Sequence, residues 1–127
     1  DFFSVGMASR LFRSLYNGTY ISREFSEKAL ELLSRTKFEN GLVSGVPAGI
    51  LVAHKFGERT IEIEDSISPE KNREVRELHD CGIVYAPGNP YFVCVMTKGD
   101  DFKNLEKIIS DISSMAWTKM QELNKKK

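Results

Sequence analysis

Two neighbouring apolar runs constrain the fold of this chain more than any other feature. The first, Gly45–Gly57, reads Gly-Val-Pro-Ala-Gly-Ile-Leu-Val-Ala-His-Lys-Phe-Gly and predicts a buried strand that ends in Lys-Phe-Gly. The second, Leu78–Gly99, holds two apolar stretches separated by Pro87-Gly-Asn-Pro90, which predicts a hairpin. Both arms are apolar at nearly every position, so burial on both faces is expected. Together the runs predict a three-stranded antiparallel sheet over residues 50–56, 79–86 and 91–98.

Amphipathic helices are predicted on both sides of this sheet segment. Ser4 begins the first helix and Asn17-Gly18 ends it, while Ser22 begins the second. A third helix, over 101–122 with Asp100 or Asp101 as its cap, is wide enough on its apolar side to cover one sheet face. The other face is expected to lack a full cover. The predicted core stripes are Ala8, Leu11, Phe12 and Leu15; Phe25, Ala29, Leu32 and Leu33; and Phe102, Leu105, Ile108, Ile109, Ile112, Met115, Ala116 and Met120. The fold class is therefore α+β, with helices at the N-terminal side.

The segment 58–77 is the least regular part of the chain. Residues 60–64 alternate like a half-exposed strand, residues 66–69 break the pattern, and the charge-rich stretch 70–78 predicts one or two helical turns. We interpret the segment as an excursion that returns the chain antiparallel to the first strand. A solvated loop is favoured over a substrate-gating lid.

Composition excludes several classes of partner. With 127 residues, 41% of them hydrophobic and 28% charged, the chain is long enough for one domain with a real core. The 18 basic and 18 acidic residues cancel, which gives no electrostatic case for binding nucleic acid. No apolar run approaches the roughly 20 residues that a membrane span needs. The chain opens with Asp1 and not Met, so we expect its natural start to lie upstream.

The histidines and cysteines allow several interpretations. His54, His79 and Asp80 could approach one another across the sheet, but their spacing is not typical of a metal site, and a hydrogen-bonded His-Asp pair is the better interpretation. Cys81 and Cys94 lie on the two arms of one hairpin. Buried free thiols are favoured over a disulfide, because cross-strand disulfides are usually strained.

The order of strand, hairpin and helix, together with Lys55-Phe-Gly57, resembles the C-terminal part of the penicillin-recognising serine hydrolases. This superfamily includes the class A β-lactamases and the DD-peptidases, in which a strand ending Lys-Thr-Gly or Lys-Ser-Gly forms one wall of the active site. No Ser-x-x-Lys or Ser-x-Asn motif precedes Lys55 in a suitable place. Residues 1–127 are therefore expected to be the C-terminal portion of a single β-lactamase-like domain. The N-terminal portion, with the nucleophile, would lie upstream or on a second chain.

The resemblance assigns roles to five consecutive residues. It implies that Lys55 places positive charge near the nucleophile and that the backbone N–H of Glu58 is one of the two oxyanion donors. Gly57 lets the substrate lie close to the backbone. Phe56 replaces the hydroxyl residue that binds the substrate carboxylate, and Arg59 is a candidate substitute for that anchor.

Two functions follow from the resemblance. In the first, the parent is a serine hydrolase that forms an acyl-enzyme with β-lactam or peptidoglycan-type amides, a role in cell-wall metabolism or antibiotic resistance. In the second, the parent keeps the fold but is a non-catalytic module that binds peptidoglycan or another protein. Neither needs a cofactor or a metal, and both imply export to the periplasm or the cell surface. The chain alone, without a nucleophile, is expected to be inactive.

Overall fold

The computed structural model describes residues 3–68 and 72–126. Its elements follow the order predicted for an α+β fold, with two helices, three strands and a long final helix. They are α1 (Val5–Tyr16), α2 (Arg23–Leu33), β1 (Val52–Ile63), β2 (Arg73–Val84), β3 (Tyr91–Gly99) and α3 (Phe102–Lys125), with one 3-10 turn at Val43–Gly45 before β1. None of the described helices combines the length and the apolar character that crossing a lipid bilayer requires.

The three strands form one antiparallel sheet in the order β1-β2-β3. The β1-β2 register runs from Val52 opposite Val84 to Ile63 opposite Arg73. Tyr91 at the start of β3 also pairs with Val84, so the turn between β2 and β3 contains the predicted Pro-Gly-Asn-Pro sequence. This confirms the predicted sheet and hairpin, and it leaves β1 at one edge.

The predicted half-exposed strand is confirmed over 60–63, and so is the antiparallel return of the chain, whereas the interpretation of 58–77 as a solvated loop is wrong for most of its length. β1 continues to Ile63 and β2 begins at Arg73, so the sheet extends as a long two-stranded arm. The ladder hydrogen bonds satisfy the backbone of 73–78, and those residues are strand and not helical turns. Ile61 pairs directly with Val75 in the arm. The remaining part of the predicted break and helical turn, at 69–71, lies outside the described residues.

The helix starts agree with their predicted caps. The hydroxyls of Ser4 and Ser22 each accept a hydrogen bond from a backbone N–H three residues further on. Asp101, and not Asp100, caps α3 with its carboxylate. α1 ends at Tyr16, directly before the predicted Asn17-Gly18 stop, and Gly18 has the positive φ of 67° that favours glycine there.

Both faces of the sheet have a buried cluster, and the cover of the second face is the smaller one. On the first face, α3 and the loop before β1 enclose a cluster that includes Leu42, Leu78 and Ile109. On the second face, α1 and α2 enclose a smaller cluster with Phe12 and Ile83. Apolar burial on both faces is the main stabilising term of such a sheet.

Some residues predicted as core are exposed. Phe25 and Leu32 of α2 are 57% and 68% exposed, because α2 turns its neighbouring stripe, centred on the buried Ser26, toward the rest of the chain. In α3 the buried line is narrow and runs through Leu105, Ile109 and Ser113 at spacings of four. The other predicted core residues found exposed are Leu11, Ile108, Ile112 and Met115.

Cys81 and Cys94 form a disulfide, so the expectation of free thiols is wrong. The two residues are direct partners across β2 and β3, with Cα atoms 3.9 Å apart. Only the register, which the sequence leaves open, places them opposite each other.

Candidate functional site

The free edge of β1 carries the residues predicted to form the site. Leu51 accepts a hydrogen bond from the Tyr85 N–H, so odd-numbered residues of β1 direct their backbone groups toward β2. The even-numbered residues therefore direct theirs outward, and the His54 carbonyl does accept a hydrogen bond from the Thr36 hydroxyl at 2.9 Å. By the same alternation, the Phe56 C=O and the Glu58 N–H face the open edge.

Lys55 lies at this edge with its side chain exposed. Its position directly opposite Cys81 places it on the sheet face that α1 and α2 cover. The ammonium group donates to the Phe56 carbonyl and lies 5.0 Å from the centre of the Phe56 ring. No carboxylate of the described residues pairs with it, so its charge is available at the edge of the sheet.

Phe56 is a packing residue in this structure. Its ring stacks on Phe38, with ring centres 4.4 Å apart and planes inclined by 23°, and it lies against the α3-side core. Such a pair contributes roughly 0.5–1.5 kcal/mol beyond the burial of its area. The Phe56 ring therefore joins the strand to the loop before β1.

Gly57 leaves room beside the backbone. A Cβ atom added there would meet no other atom within 4 Å. The strand surface next to Lys55 is thus open to an approaching group.

Arg59 is not free in this structure. Its guanidinium donates two hydrogen bonds to one carboxylate oxygen of Glu77, at 2.8 and 3.2 Å, and Lys98 approaches the other oxygen at 3.7 Å. The hydrogen bond from Arg59, assisted by the charges of Arg59 and Lys98, holds the pKa of Glu77 below its usual value, although partial burial acts in the opposite direction. A ligand carboxylate that binds Arg59 must compete with Glu77.

We predict that Arg59→Gln raises the pKa of Glu77 toward its unperturbed value. Because folding lowers the pKa of Glu77, the ion pair stabilises the folded chain at pH values above the unfolded pKa of about 4.3. This stabilisation is lost as the pH falls through the pKa of Glu77 in the folded chain. A carboxyl-carbon NMR titration of Glu77 measures the shift. Lys107→Gln, which removes a cation on α3, is the control and leaves the Glu77 titration unchanged. An unmoved Glu77 pKa in Arg59→Gln contradicts the assignment.

His54 and Asp80 form the predicted histidine-aspartate pair. The two side chains are almost fully buried, and His54 Nδ1 lies 2.7 Å from Asp80 Oδ1. The other carboxylate oxygen accepts a hydrogen bond from the Leu42 N–H at 3.0 Å. His79 lies apart from this pair and accepts a hydrogen bond from the Thr97 N–H of β3. Within residues 3–68 and 72–126, no group of three metal-binding side chains is present.

The loop before β1 is the part of the site that sequence reasoning missed. Asp80 binds it through Leu42, and the buried Ser113 of α3 donates a hydrogen bond to the Leu42 carbonyl at 2.7 Å. Gly41 lies so close to Asp80 that an added Cβ would be 2.4 Å from a carboxylate oxygen. The glycines of this loop were the only sequence signal, and they had indicated only turns. The loop joins β1, β2 and α3 directly behind the Lys55 edge.

Two serines in the chain match the spacing of the family's nucleophile motif, Ser34 with Lys37 and Ser68 with Lys71, and Lys71 lies outside the described residues. Ser34 and Lys37 are three residues apart, but Ser34 caps the C-terminal end of α2 and its hydroxyl donates to the Glu31 carbonyl at 2.7 Å. A nucleophile must instead direct its hydroxyl proton toward a base. Ser34 does not have that arrangement.

Comparisons with known proteins agree with this fold. A family model described as the beta-lactamase enzyme family matches residues 1–120. Solved structures with the same fold include a variant of PBP-A in an acyl-enzyme complex with penicillin G, which has 19% identity and a TM-score of 0.70. A beta-lactamase from Sphaerobacter thermophilus has 20% identity and a TM-score of 0.70. A representative class A beta-lactamase from Bacteroides cellulosilyticus has 19% identity and a TM-score of 0.71.

These matches cover most of this chain and a minority of each neighbour. The PBP-A variant aligns with 94% of this chain over 40% of its own length. The Sphaerobacter enzyme aligns with 91% of this chain over 39% of its own length, and the Bacteroides enzyme with 94% over 41%. No curated protein matches the sequence at a significant level. At these identities the structures establish the fold, and the family model establishes the relationship.

Proposed function

Because the chain belongs to the beta-lactamase enzyme family, we infer that it forms one wall of the active site of a serine hydrolase. The proposed reaction is acyl transfer, in which a serine attacks a β-lactam or peptidoglycan-type amide and forms an acyl-enzyme that water then hydrolyses. Lys55, Gly57 and Glu58 are the residues of this chain that we assign to the reaction.

The observation that carries the proposal is the Lys55 ammonium, which pairs with no carboxylate of the described residues and lies beside outward-facing backbone groups at a strand edge. An extended, peptide-like ligand can pair with the Phe56 C=O and lie close to the backbone at Gly57. The Glu58 N–H then donates to the oxygen that becomes negative in the tetrahedral intermediate. The positive charge of Lys55 favours a deprotonated nucleophile and a bound carboxylate.

We assign the nucleophile and its base to a part of the domain that this chain does not include. The chain spans about 40% of the length of the structures that it matches, and Ser34 lacks the geometry of a nucleophile. The missing part would be contributed from upstream or by a second chain.

A β-lactam is the better supported substrate class. The PBP-A neighbour was solved as an acyl-enzyme with penicillin G, which supports the same ligand class for this chain. The ring of Phe56 cannot donate a hydrogen bond to the ligand carboxylate, and Arg59 is paired with Glu77. Carboxylate recognition would therefore depend mainly on Lys55. Export to the periplasm or cell surface, where peptidoglycan lies, is part of this proposal.

The isolated 127-residue chain is expected neither to hydrolyse nitrocefin nor to be labelled by a fluorescent penicillin. The reason is that the residues assigned to the reaction include no nucleophile. Absorbance at the nitrocefin product band and in-gel fluorescence measure the two activities, with an intact class A beta-lactamase as the positive control. Stoichiometric labelling of the isolated chain would show that it carries its own nucleophile.

A non-catalytic peptidoglycan-binding or protein-binding module is the second candidate, favoured by the aromatic residue at position 56. Intact-mass spectrometry of the protein encoded by the complete reading frame, incubated with penicillin G, distinguishes the two. The hydrolase gains the mass of one penicillin. A protein that binds soluble muropeptides but gains no mass is the non-catalytic module.

A further inference from the structure

A cavity separate from the Lys55 edge lies between α1 and the β2-β3 hairpin. Its volume is about 170 Å³, and its walls include Phe12, Ile83 and Phe92. The Phe12 and Phe92 rings are tilted by 41° with centres 5.5 Å apart. No residue of β1 lines the cavity, so it is independent of the proposed active site.

The size of the cavity corresponds to one aromatic ring. An apolar protein cavity of about 150 Å³ is known to accept benzene, and tilted aromatic walls favour edge-to-face contact with a further ring. Pockets of this kind combine an apolar lining with a few placed polar groups.

Arg13 is the charged residue among those that line this cavity. Ser9 and Arg13 lie one turn apart on α1, and both line the cavity. Arg13 is exposed, and no carboxylate of the described residues pairs with its guanidinium. The lining contains no acidic residue, and neither does the sequence of α1. A planar guanidinium without an internal partner is complementary to a carboxylate.

We propose that this cavity binds a small aromatic monocarboxylate. The ring packs against the Phe12 and Phe92 side chains that line the cavity, the carboxylate pairs with Arg13, and the Ser9 hydroxyl donates a further hydrogen bond to it. The site recognises one ring and one negative charge, and it does so without any residue of the Lys55 edge.

The test uses phenylacetate as the probe and the 127-residue chain with nitrogen-15 labelling. Saturable amide shifts are expected at residues 9–16 and 90–92, whereas the uncharged phenylacetamide binds about tenfold more weakly, as loss of one charge-assisted hydrogen bond predicts. Arg13→Gln loosens phenylacetate about tenfold by the same argument and leaves phenylacetamide unchanged. Arg10→Gln is the matched control, since Arg10 is on the same helix but does not line the cavity, and it binds phenylacetate as the parent chain does.

Ser9→Leu tests the cavity itself by placing an apolar side chain in it, and this variant is expected to abolish the shifts while the remaining amide spectrum stays that of the folded chain. Several results would overturn the proposal: no saturable binding of phenylacetate, shifts confined to residues away from the cavity, equal loss in Arg10→Gln and Arg13→Gln, or unchanged binding in a folded Ser9→Leu chain. None of these variants changes a residue of β1. A negative result for phenylacetate therefore does not bear on the proposed hydrolase function, and a negative result for penicillin labelling does not bear on the cavity.

Discussion

Lys55→Ala is expected to abolish acylation of the full-length protein by penicillin G. The substitution removes the Lys55 ammonium from the β1 edge, where no carboxylate of the described residues pairs with it, and in the proposed mechanism this group stabilises charge at the nucleophile and holds the substrate carboxylate. Loss of one preorganised electrostatic group in an active site typically reduces the rate on the order of 10²–10³-fold. The second-order rate constant of acylation, followed by intact-mass spectrometry, measures the effect.

Lys98→Ala is the matched control, because Lys98 is also an exposed strand lysine but approaches Glu77 and not the free edge. It is expected to change acylation less than twofold, in line with the small contribution of exposed ion pairs of about 0–1 kcal/mol. If Lys55→Ala acylates at the rate of Lys98→Ala, Lys55 has no part in the reaction.

Phe56→Thr separates the two functional hypotheses in the same assay. The added hydroxyl restores one hydrogen bond to the substrate carboxylate, so kcat/KM is expected to rise about tenfold. The change also removes the ring that stacks on Phe38, which lowers stability, so the variant is compared at a temperature where both proteins are folded. A protein that turns over a cell-wall peptide but gains nothing from Phe56→Thr uses Phe56 for another substrate. One that is indifferent to Lys55→Ala and Phe56→Thr, yet binds its ligand, is the non-catalytic module.

Asp80→Ala is expected to destabilise the chain by about 3–5 kcal/mol, the usual effect of removing one partner from a buried pair. Asp80 is fully buried, and its two oxygens contact His54 Nδ1 and the Leu42 N–H. Its removal leaves both groups buried without a partner, and each such group costs roughly 1–3 kcal/mol. Urea unfolding followed by circular dichroism measures the loss.

Asp111→Ala is the control for this prediction, since Asp111 pairs with Lys107 on the exposed side of α3. It is expected to cost under about 1 kcal/mol. Asp80→Asn keeps the shape of the side chain and is expected to fall between the two. A free energy of unfolding for Asp80→Ala that matches Asp111→Ala would show that the buried pair is not what holds β1, β2 and the Leu42 loop together.

Much of the fold follows from local patterns in the sequence. The caps at Ser4, Ser22 and Asp101 were identifiable because a short polar side chain before an apolar stripe satisfies the free N–H groups of a helix start. The hairpin was identifiable because proline and glycine restrict the backbone between two apolar runs. The Lys55-Phe-Gly57 motif and the family that it resembles were also visible in sequence, but the predicted strand end at this motif is wrong, because β1 continues to Ile63.

The errors came from contacts between distant residues. In the 58–77 arm the alternation at 60–63 indicated a strand, but the charge-rich stretch 73–77 did not, and only its pairing with β1 makes it one. Phe25 and Leu32 fit a core stripe by spacing, but the neighbouring face of α2 packs against the chain. Hydrophobic periodicity shows roughly which side of a helix is apolar. It does not show how many of those side chains the neighbouring elements bury.

The sequence by itself determined the order of helices and strands and the absence of a hydroxyl at position 56, because each is local in sequence. The position of Lys55 on an edge strand follows from the sheet order. The tertiary structure alone decided that Cys81 meets Cys94, that Arg59 pairs with Glu77 and that Asp80 joins His54 to Leu42. These contacts depend on strand register and on the packing of a loop 38 residues away in sequence from its partner. A shift of one residue in register moves every side chain to the opposite face, so a pattern of residue types cannot specify such pairs until the strands are aligned.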